Sequence, residues 1–239
     1  MVGEYNSVMN QPISLRADFN LREVVLPEDY EWVSSPMPGV ERMMLDRIGD
    51  EVARATSIVR FEPNSSFSAH DHGGGEEFLV LEGVFSDEHF DYPAGTYVRN
   101  PVGTAHTPRI GVEGSTILVK LHQFKREDQD QKHIDTLTCT FSPGTVDGIE
   151  RCSLHCYASE RVTVEKWTPN TQGPKHVHEG GEELFVMTGR LNDELGSYPR
   201  GTWLRNPPGS SHACFTEAEG ATVWIKTGHL TRALSSQET

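Results

Sequence analysis

Long apolar runs are missing from this 239-residue sequence: no stretch approaches the roughly 18 residues that span a bilayer, so a helical membrane protein is excluded. The opening residues, MVGEYNSVMNQPISLRADFN, hold neither a basic segment nor an apolar core. No secretory signal is recognised there, and the cytoplasm is the expected compartment. Basic residues are scarce, with 21 Lys and Arg against 35 Asp and Glu for a net charge of −14. That charge repels phosphate backbones and anionic lipid surfaces within a Debye length, so neither nucleic acid nor a membrane is an expected partner. The four cysteines, Cys139, Cys152, Cys156 and Cys214, are too few for a disulfide scaffold, and most are expected to be reduced and structural. Cys152-Ser-Leu-His155-Cys156 gathers three soft ligands, but in a strand its cysteines share a face roughly 13 Å apart, too far to hold one ion. Sustained helical periodicity is lacking as well. Runs such as TSIVRF, GTYVRN and STILVKL, separated by Gly, Pro, Asn and Asp, predict short strands and an all-β architecture, either a closed barrel or a double sheet.

What the sequence does contain is a copy of itself. PNSSFSAHDHGGGEEFLVLEGVFSDEHFDYPAGTYVRNPVGTAH begins at Pro63 and PNTQGPKHVHEGGEELFVMTGRLNDELGSYPRGTWLRNPPGSSH begins at Pro169, with no gap between them. A constant offset of 106 residues relates His70 to His176, Glu76 to Glu182, Asp87 to Asp193, Arg99 to Arg205 and Lys120 to Lys226. Upstream, GVERMMLDRI from Gly39 matches GIERCSLHCY from Gly148, and the connection that follows is three residues shorter in the second copy, as a trimmed hairpin loop would be. This repeat divides the chain into an N-terminal extension over 1–24, a first domain over 25–130 and a second over 131–239. The polar segment KREDQDQKHID, Lys125 to Asp135, is the expected linker.

In a strand, residues two apart point to one face, so His70 and His72 aim at the same volume, as do His176 and His178. Glu76 and Glu182 lie an even number of residues further on. The glycines of Gly73-Gly74-Gly75 let the chain turn so that the carboxylate closes on the imidazoles. His106 and His212 are delivered by separate strands that end in fixed Pro-Gly turns. Three imidazoles and one carboxylate suit Fe, Mn, Zn or Ni, and leave two positions open on a six-coordinate ion. The candidate metal ligands are therefore His70, His72, Glu76 and His106 in one copy and His176, His178, Glu182 and His212 in the other; no catalytic residue is assigned.

The same parity turns Glu77 and Glu183 outward, as solvated charges or as groups supporting the ligands. It also places Leu79, Leu81, Phe185 and Met187 on the outer face, where they predict an interface between the two domains or between subunits of a homodimer. Arg99 and Arg205 could take a carboxylate or enolate inside the barrel, although a surface ion pair is the commoner use of a strand arginine. Tyr92-Pro93 and Tyr198-Pro199 are read as turn anchors.

These residues resemble the cupin superfamily, whose motifs read G-x5-H-x-H-x3,4-E-x6-G and G-x5-P-x-G-x2-H-x3-N. His72, Glu76 and Gly83 keep the first spacing, and Gly95, Pro101, Gly103 and His106 keep the second. Two departures are shared by both copies: Asn64 and Asn170 stand for the leading glycine, and Ile110 and Thr216 for the closing asparagine. Asn tolerates the left-handed backbone that glycine would supply. The resemblance implies two tandem jelly-roll barrels in one chain, each with a divalent metal and room for a small-molecule ligand. More narrowly, GGEE, YPxGTxxRNPxGxxH and the trailing EGxT segment are similar to ChrR-type cupins, named after an anti-sigma factor. That likeness implies a regulatory protein responding to a small molecule or oxidant, with a sigma factor as partner. The N-terminal His-x3-Cys-x2-Cys module of such anti-sigma factors is not found in this sequence. Relatives in the same group resemble dioxygenases that cleave acetylacetone or dihydroxyacetophenone, which implies a non-haem Fe(II) enzyme as the alternative.

Overall fold

A computed structural model describes residues 13–50 and 52–230; residues 1–12 of the expected extension and 231–239 of the second domain lie outside them. Among the described residues nearly all regular structure is strand, with one short 3-10 turn at Pro27–Asp29 and no α-helix. The strands form two large antiparallel sheets, each the scaffold of one barrel, and each barrel carries a small two-stranded sheet as well. The first large sheet runs in the order Ser14–Leu15, Val40–Ile48, Arg54–Phe61, Arg109–Leu121, Glu76–Ser86, Thr96–Asn100, Lys132–Asp135. The second runs Ser142–Pro143, Ile149–Tyr157, Glu160–Trp167, Ala221–Thr227, Glu182–Asp193, Trp203–Asn206, Glu23–Val25.

The last strand of each sheet comes from the segment that leads into the other barrel. Glu23–Val25, ahead of the first barrel, pairs with Trp203–Arg205 of the second. Lys132–Asp135, ahead of the second, pairs with Thr96–Arg99 of the first. The expected linker is therefore partly strand. It also places a buried carboxylate, Asp128, against Arg99 at 2.6 Å and His155 at 2.9 Å. Asp128 is the buried exception in a segment that is otherwise exposed or half-buried.

Alternation along the strands makes three cores from two sheets. Phe78, Val80, Val59, Ile117 and Val119 fill the first barrel, and Leu184, Val186, Leu204 and Val223 fill the second. Their sequence neighbours Leu79, Ile58 and Leu118 turn the other way and meet Phe185, Trp224, Val164 and Trp203 in a shared core between the barrels. Leu79 and Phe185 are 1% and 4% exposed, so the predicted outward apolar face is the interface between the two halves of one chain. The hairpin loops differ as expected: Ile48 joins Arg54 through five residues, Tyr157 joins Glu160 through two. Asn64 and Asn170 take the left-handed backbone at φ 59° and 57°. Gly83 is required for a second reason, because a Cβ there would collide with the Gly114 carbonyl oxygen.

Glu77 and Glu183 belong to the shared core and are not solvated. Lys120 of the first barrel reaches Glu183 of the second at 2.5 Å, and Lys226 of the second reaches Glu77 of the first. Tyr97 donates to Glu77 at 2.7 Å and the Trp203 indole to Glu183 at 3.1 Å. Burial alone would raise both carboxyl groups, but the facing lysines outweigh it and hold both below the ordinary range, Glu183 well below. Arg99 and Arg205 are buried here too: each makes the ion pair expected of a strand arginine, with Asp128 and Asp46, but in the interior and not at the surface. Arg205 reaches Asp46 at 3.4 Å and the backbone carbonyls of Arg16 and Asp18. The cysteine expectation also needs correction. Cys139 and Cys152 form a disulfide with Cα atoms 6.4 Å apart, because the turn after Asp135 folds Cys139 back onto the Ile149–Tyr157 strand. A bulge between Ser153 and His155 then puts Cys156 on the exposed side, away from Cys152.

Removing one member of a buried ion pair leaves the other uncompensated, at a cost of about 3–5 kcal/mol. Lys226→Met, which strands Glu77 and Glu160 together, is expected to lower the free energy of urea unfolding by that amount in a single transition for both barrels. Because the folded carboxyl pKa values are depressed, this stabilisation is complete above the ordinary value of 4.5 and is lost as pH falls below it. A Lys226→Met protein within about 1 kcal/mol of the parent, or two separate unfolding transitions, would contradict this account of the interface.

Candidate metal centres

Each barrel has a small two-stranded sheet that sets its histidines opposite one another. In the first, His70 pairs in register with His106, and in the second His176 pairs with His212. The chain then turns through Gly75, at φ 76°, and Glu76 begins the next strand with its carboxylate on the same centre. His70, His72, Glu76 and His106 present ligand atoms within 4.8 Å of one another, and so do His176, His178, Glu182 and His212. All eight candidate ligands are thus brought together, four and four, with Glu76 and Glu182, not Glu77 and Glu183, facing the imidazoles.

Hydrogen bonds on the outer side of each ring decide which nitrogen faces inward. Thr104 Oγ1 donates to the Pro101 carbonyl at 2.8 Å, so it accepts from His72 Nδ1 at 2.8 Å and leaves the Nε2 lone pair pointing at the site. His70 Nδ1 faces the Ser68 carbonyl at 3.3 Å, a bond in which only nitrogen can donate. His106 Nδ1 lies 3.7 Å from Asp87, beyond hydrogen-bond distance, and its Nε2 lies 3.2 Å from that of His70. The lone pairs of His70 and His72 and the Glu76 carboxylate thus converge on one point, with the His106 ring beside them. His72 Nε2, which faces the site, is buried without a hydrogen-bond partner. A divalent cation satisfies such a set, with His70 and His176 the exposed member of each.

The carboxylates are held as acceptors. Asn100 donates to Glu76 at 3.1 Å and Asn206 to Glu182 at 3.0 Å. Burial by itself would raise Glu76, yet His72, His106 and Asn100 together bring it below the ordinary value, whereas burial prevails at Glu182. Burial, with His212 and His176 beside it, pushes His178 down to about 3, so this ring is neutral and ready to ligate through the neutral range. His178 turns Nδ1 towards Glu182 at 3.5 Å, where His72 turns Nε2 towards Glu76. Ser210, anchored on the Pro207 carbonyl at 2.6 Å, stands where Thr104 does, and a half-turn of the ring would restore the arrangement of the first site.

Several supporting residues were not assigned from sequence. Asp87 accepts from the backbone of His89 and Phe90 and from the Tyr92 hydroxyl at 2.9 Å, while Asp193 accepts from Tyr198 at 2.6 Å and lies 3.2 Å from His212 Nδ1. Tyr92 and Tyr198 therefore support the metal sites as well as their turns. The closer contact explains why His212 is raised despite its burial and His106 is lowered by it. Arg22, from the segment that leads into the first barrel, donates to Asn206, Asp193 and Tyr198 at the second site. Gln131 does the equivalent at the first, reaching Asn100 at 3.4 Å. The constant offset of Asp87 and Asp193 was the one available signal; nothing in sequence announced Arg22.

Two antiparallel barrels, each with three imidazoles and a glutamate at one end, define a metal-binding bicupin. The sequence matches the family described as ChrR Cupin-like domain over residues 20–125 and again over 129–231, and the chain belongs to that family. Both matched segments include the exchanged strands. No curated protein sequence matches the chain. Among solved structures it is similar to a candidate dioxygenase from Nostoc punctiforme, at 14% identity and TM-score 0.72, covering 89% of this chain and 84% of that one. It is also similar to a candidate glyoxylate-induced protein from Pseudomonas aeruginosa, at 14% identity and TM-score 0.68 over 95% and 93% of the two chains. A third is the bacterial pirin YhhW of Escherichia coli in complex with nickel(II), at 12% identity and TM-score 0.61 over 87% and 99%. At such identities these likenesses concern the fold.

His72→Ala and His178→Ala are each expected to remove one of two bound metal equivalents, and the double variant both, as measured by elemental analysis after dialysis. Asp193→Asn should weaken metal binding at the second site by about 10–100-fold, and Asp87→Asn at the first by less, since its contact is longer. Retention of both equivalents by the double variant would show the ligands misassigned.

Proposed function

We propose that the chain is a metal-dependent protein acting on a small organic molecule inside the barrel, with chemistry of the non-haem oxygenase kind. The observation that carries this reading is that both ligand sets open onto a cavity in their own barrel. His70, Glu76 and His106 line one of about 170 Å³, and His176, His178, Glu182 and His212 line one of about 700 Å³. A structural zinc site is closed by its protein ligands and needs no such space. When bound, the ion supplies Lewis acidity and open coordination positions, which iron, manganese, nickel or zinc would provide in different measure. The residues of the chain do the rest. Thr104 and Asp87 orient the imidazoles, Glu76 stays ionised, and Phe67, Phe85 and Ile117 make a dry wall against which a substrate is oriented. The resemblance to diketone- and hydroxyaryl ketone-cleaving cupins supports this reading, as does the likeness to a candidate dioxygenase.

The family match favours a second reading, in which the same binding event serves a regulator that responds to a small molecule or oxidant and acts on a sigma factor in the cytoplasm. Metal identity and turnover separate the two. The oxygenase reading expects iron in the protein as isolated, and oxygen uptake by the iron-loaded chain with at least one of a panel of β-diketones and hydroxyacetophenones, lost in His72→Ala with His178→Ala. Zinc in the isolated protein, no oxygen uptake across the panel and recovery of a sigma factor in a pull-down would overturn it in favour of the regulator.

A further inference from the structure

The two cavities differ in what faces one arginine. Arg42 and Arg151 hold equivalent positions on the strands Val40–Ile48 and Ile149–Tyr157, and each lines its own cavity. Arg151 sits directly across the strand pair from Glu165 and is held by it at 2.5–2.7 Å. Glu165 is buried and also accepts the Trp167 indole at 3.0 Å, so its carboxylate is fixed. In the first barrel the residue directly across from Arg42 is Val59. Among the described residues Arg42 has no carboxylate partner, and Glu76, already committed to the metal centre, is the one acid on that cavity wall. Each cavity has a second arginine held by backbone carbonyls: Arg47 in the first donates to Gly49 at 3.1 Å, and Arg161 in the second to Ala158 at 2.7 Å and Glu160 at 2.8 Å, so these two do not distinguish the barrels.

A divalent ion with Glu76 leaves one positive charge in the first barrel, and Arg42 and Arg47 each add another on a cavity wall that includes Val59, Phe67, Phe85 and Ile117. A guanidinium in apolar surroundings is stabilised by an anion that can accept from two of its N–H groups at once. The cavity of about 170 Å³ is below the 300–1,000 Å³ usual for drug-sized ligands, which limits the occupant to a small molecule. We propose that the first barrel binds a small anion with an apolar body, its paired oxygens on Arg42, and that Glu165 closes the second barrel to the same ligand by occupying Arg151. This deepens the functional reading above, and rests on it only in taking the cavity beside the metal ligands as the ligand site.

Benzoate and benzamide, alike in body and different in charge, serve as probes in calorimetric titration of the full-length, zinc-loaded chain. One equivalent of benzoate is expected, with benzamide weaker by about tenfold or more. Arg42→Met and Val59→Glu should each weaken benzoate by a similar factor while the chain keeps two metal equivalents. Glu165→Val, which frees Arg151, should gain a second equivalent of benzoate. The proposal is overturned if benzoate and benzamide bind alike, or if benzoate binds Arg42→Met as it binds the parent. A benzoate that coordinates zinc without Arg42 gives that last result. If Arg42→Met does not fold, an unchanged stoichiometry in Glu165→Val overturns it as well. Oxygen uptake retained in Arg42→Met alongside unchanged benzoate binding would sink this inference and leave the oxygenase reading standing. Benzoate binding that depends on Arg42 in a protein with no oxygen uptake would do the reverse.

Discussion

Two adjacent glutamates facing opposite ways set the register of each barrel. Glu76 closes the first metal site and Glu77, its neighbour, is buried between the barrels on Lys226; Glu182 and Glu183 repeat the arrangement, with Glu183 on Lys120. A strand cannot rotate one of these side chains without the other. The crossed ion pairs therefore fix the rotation of the strands Glu76–Ser86 and Glu182–Asp193, and with it the direction of each ligand carboxylate. Buried pairs of this kind are costly to desolvate and contribute little net stability, but they tolerate one geometry only. Their effect here is on register.

The exchanged strands make the two halves inseparable. Each sheet is completed by the segment leading into the other barrel, so neither barrel has its full edge alone. The same segments carry Arg22 and Gln131 to the asparagines that position Glu182 and Glu76. Each site is thus supported by a residue from the segment that leads into the other barrel or out of its own.

Identical ligands sit in unlike surroundings. Where the first cavity has Phe67, Phe85 and Leu121, the second has Gly173, Leu191 and Thr227, and the space grows from about 170 to about 700 Å³. Ala55 becomes Arg161 and Val59 becomes Glu165, so the larger cavity is also the more polar. A duplicated metal centre with divergent walls is suited to two different occupants, or to one occupant and one supporting site.

The repeat, read residue by residue, determined most of the site by itself. His-x-His, a glutamate at even spacing and a distant histidine after a Pro-Gly turn are local patterns, and strand alternation converts them into direction without knowledge of the fold. The outward apolar face was legible for the same reason. Whether that face met a second domain or a second subunit, and whether Glu77, Arg99 and Asp128 were solvated, depended on residues more than a hundred positions away or on a segment that looked like a linker. Charge in a sequence reads as exposure, and only the tertiary structure decides otherwise, because an opposing charge can be supplied from anywhere in the chain once two faces close over it. Arg22 at the second metal site was decided in the same way.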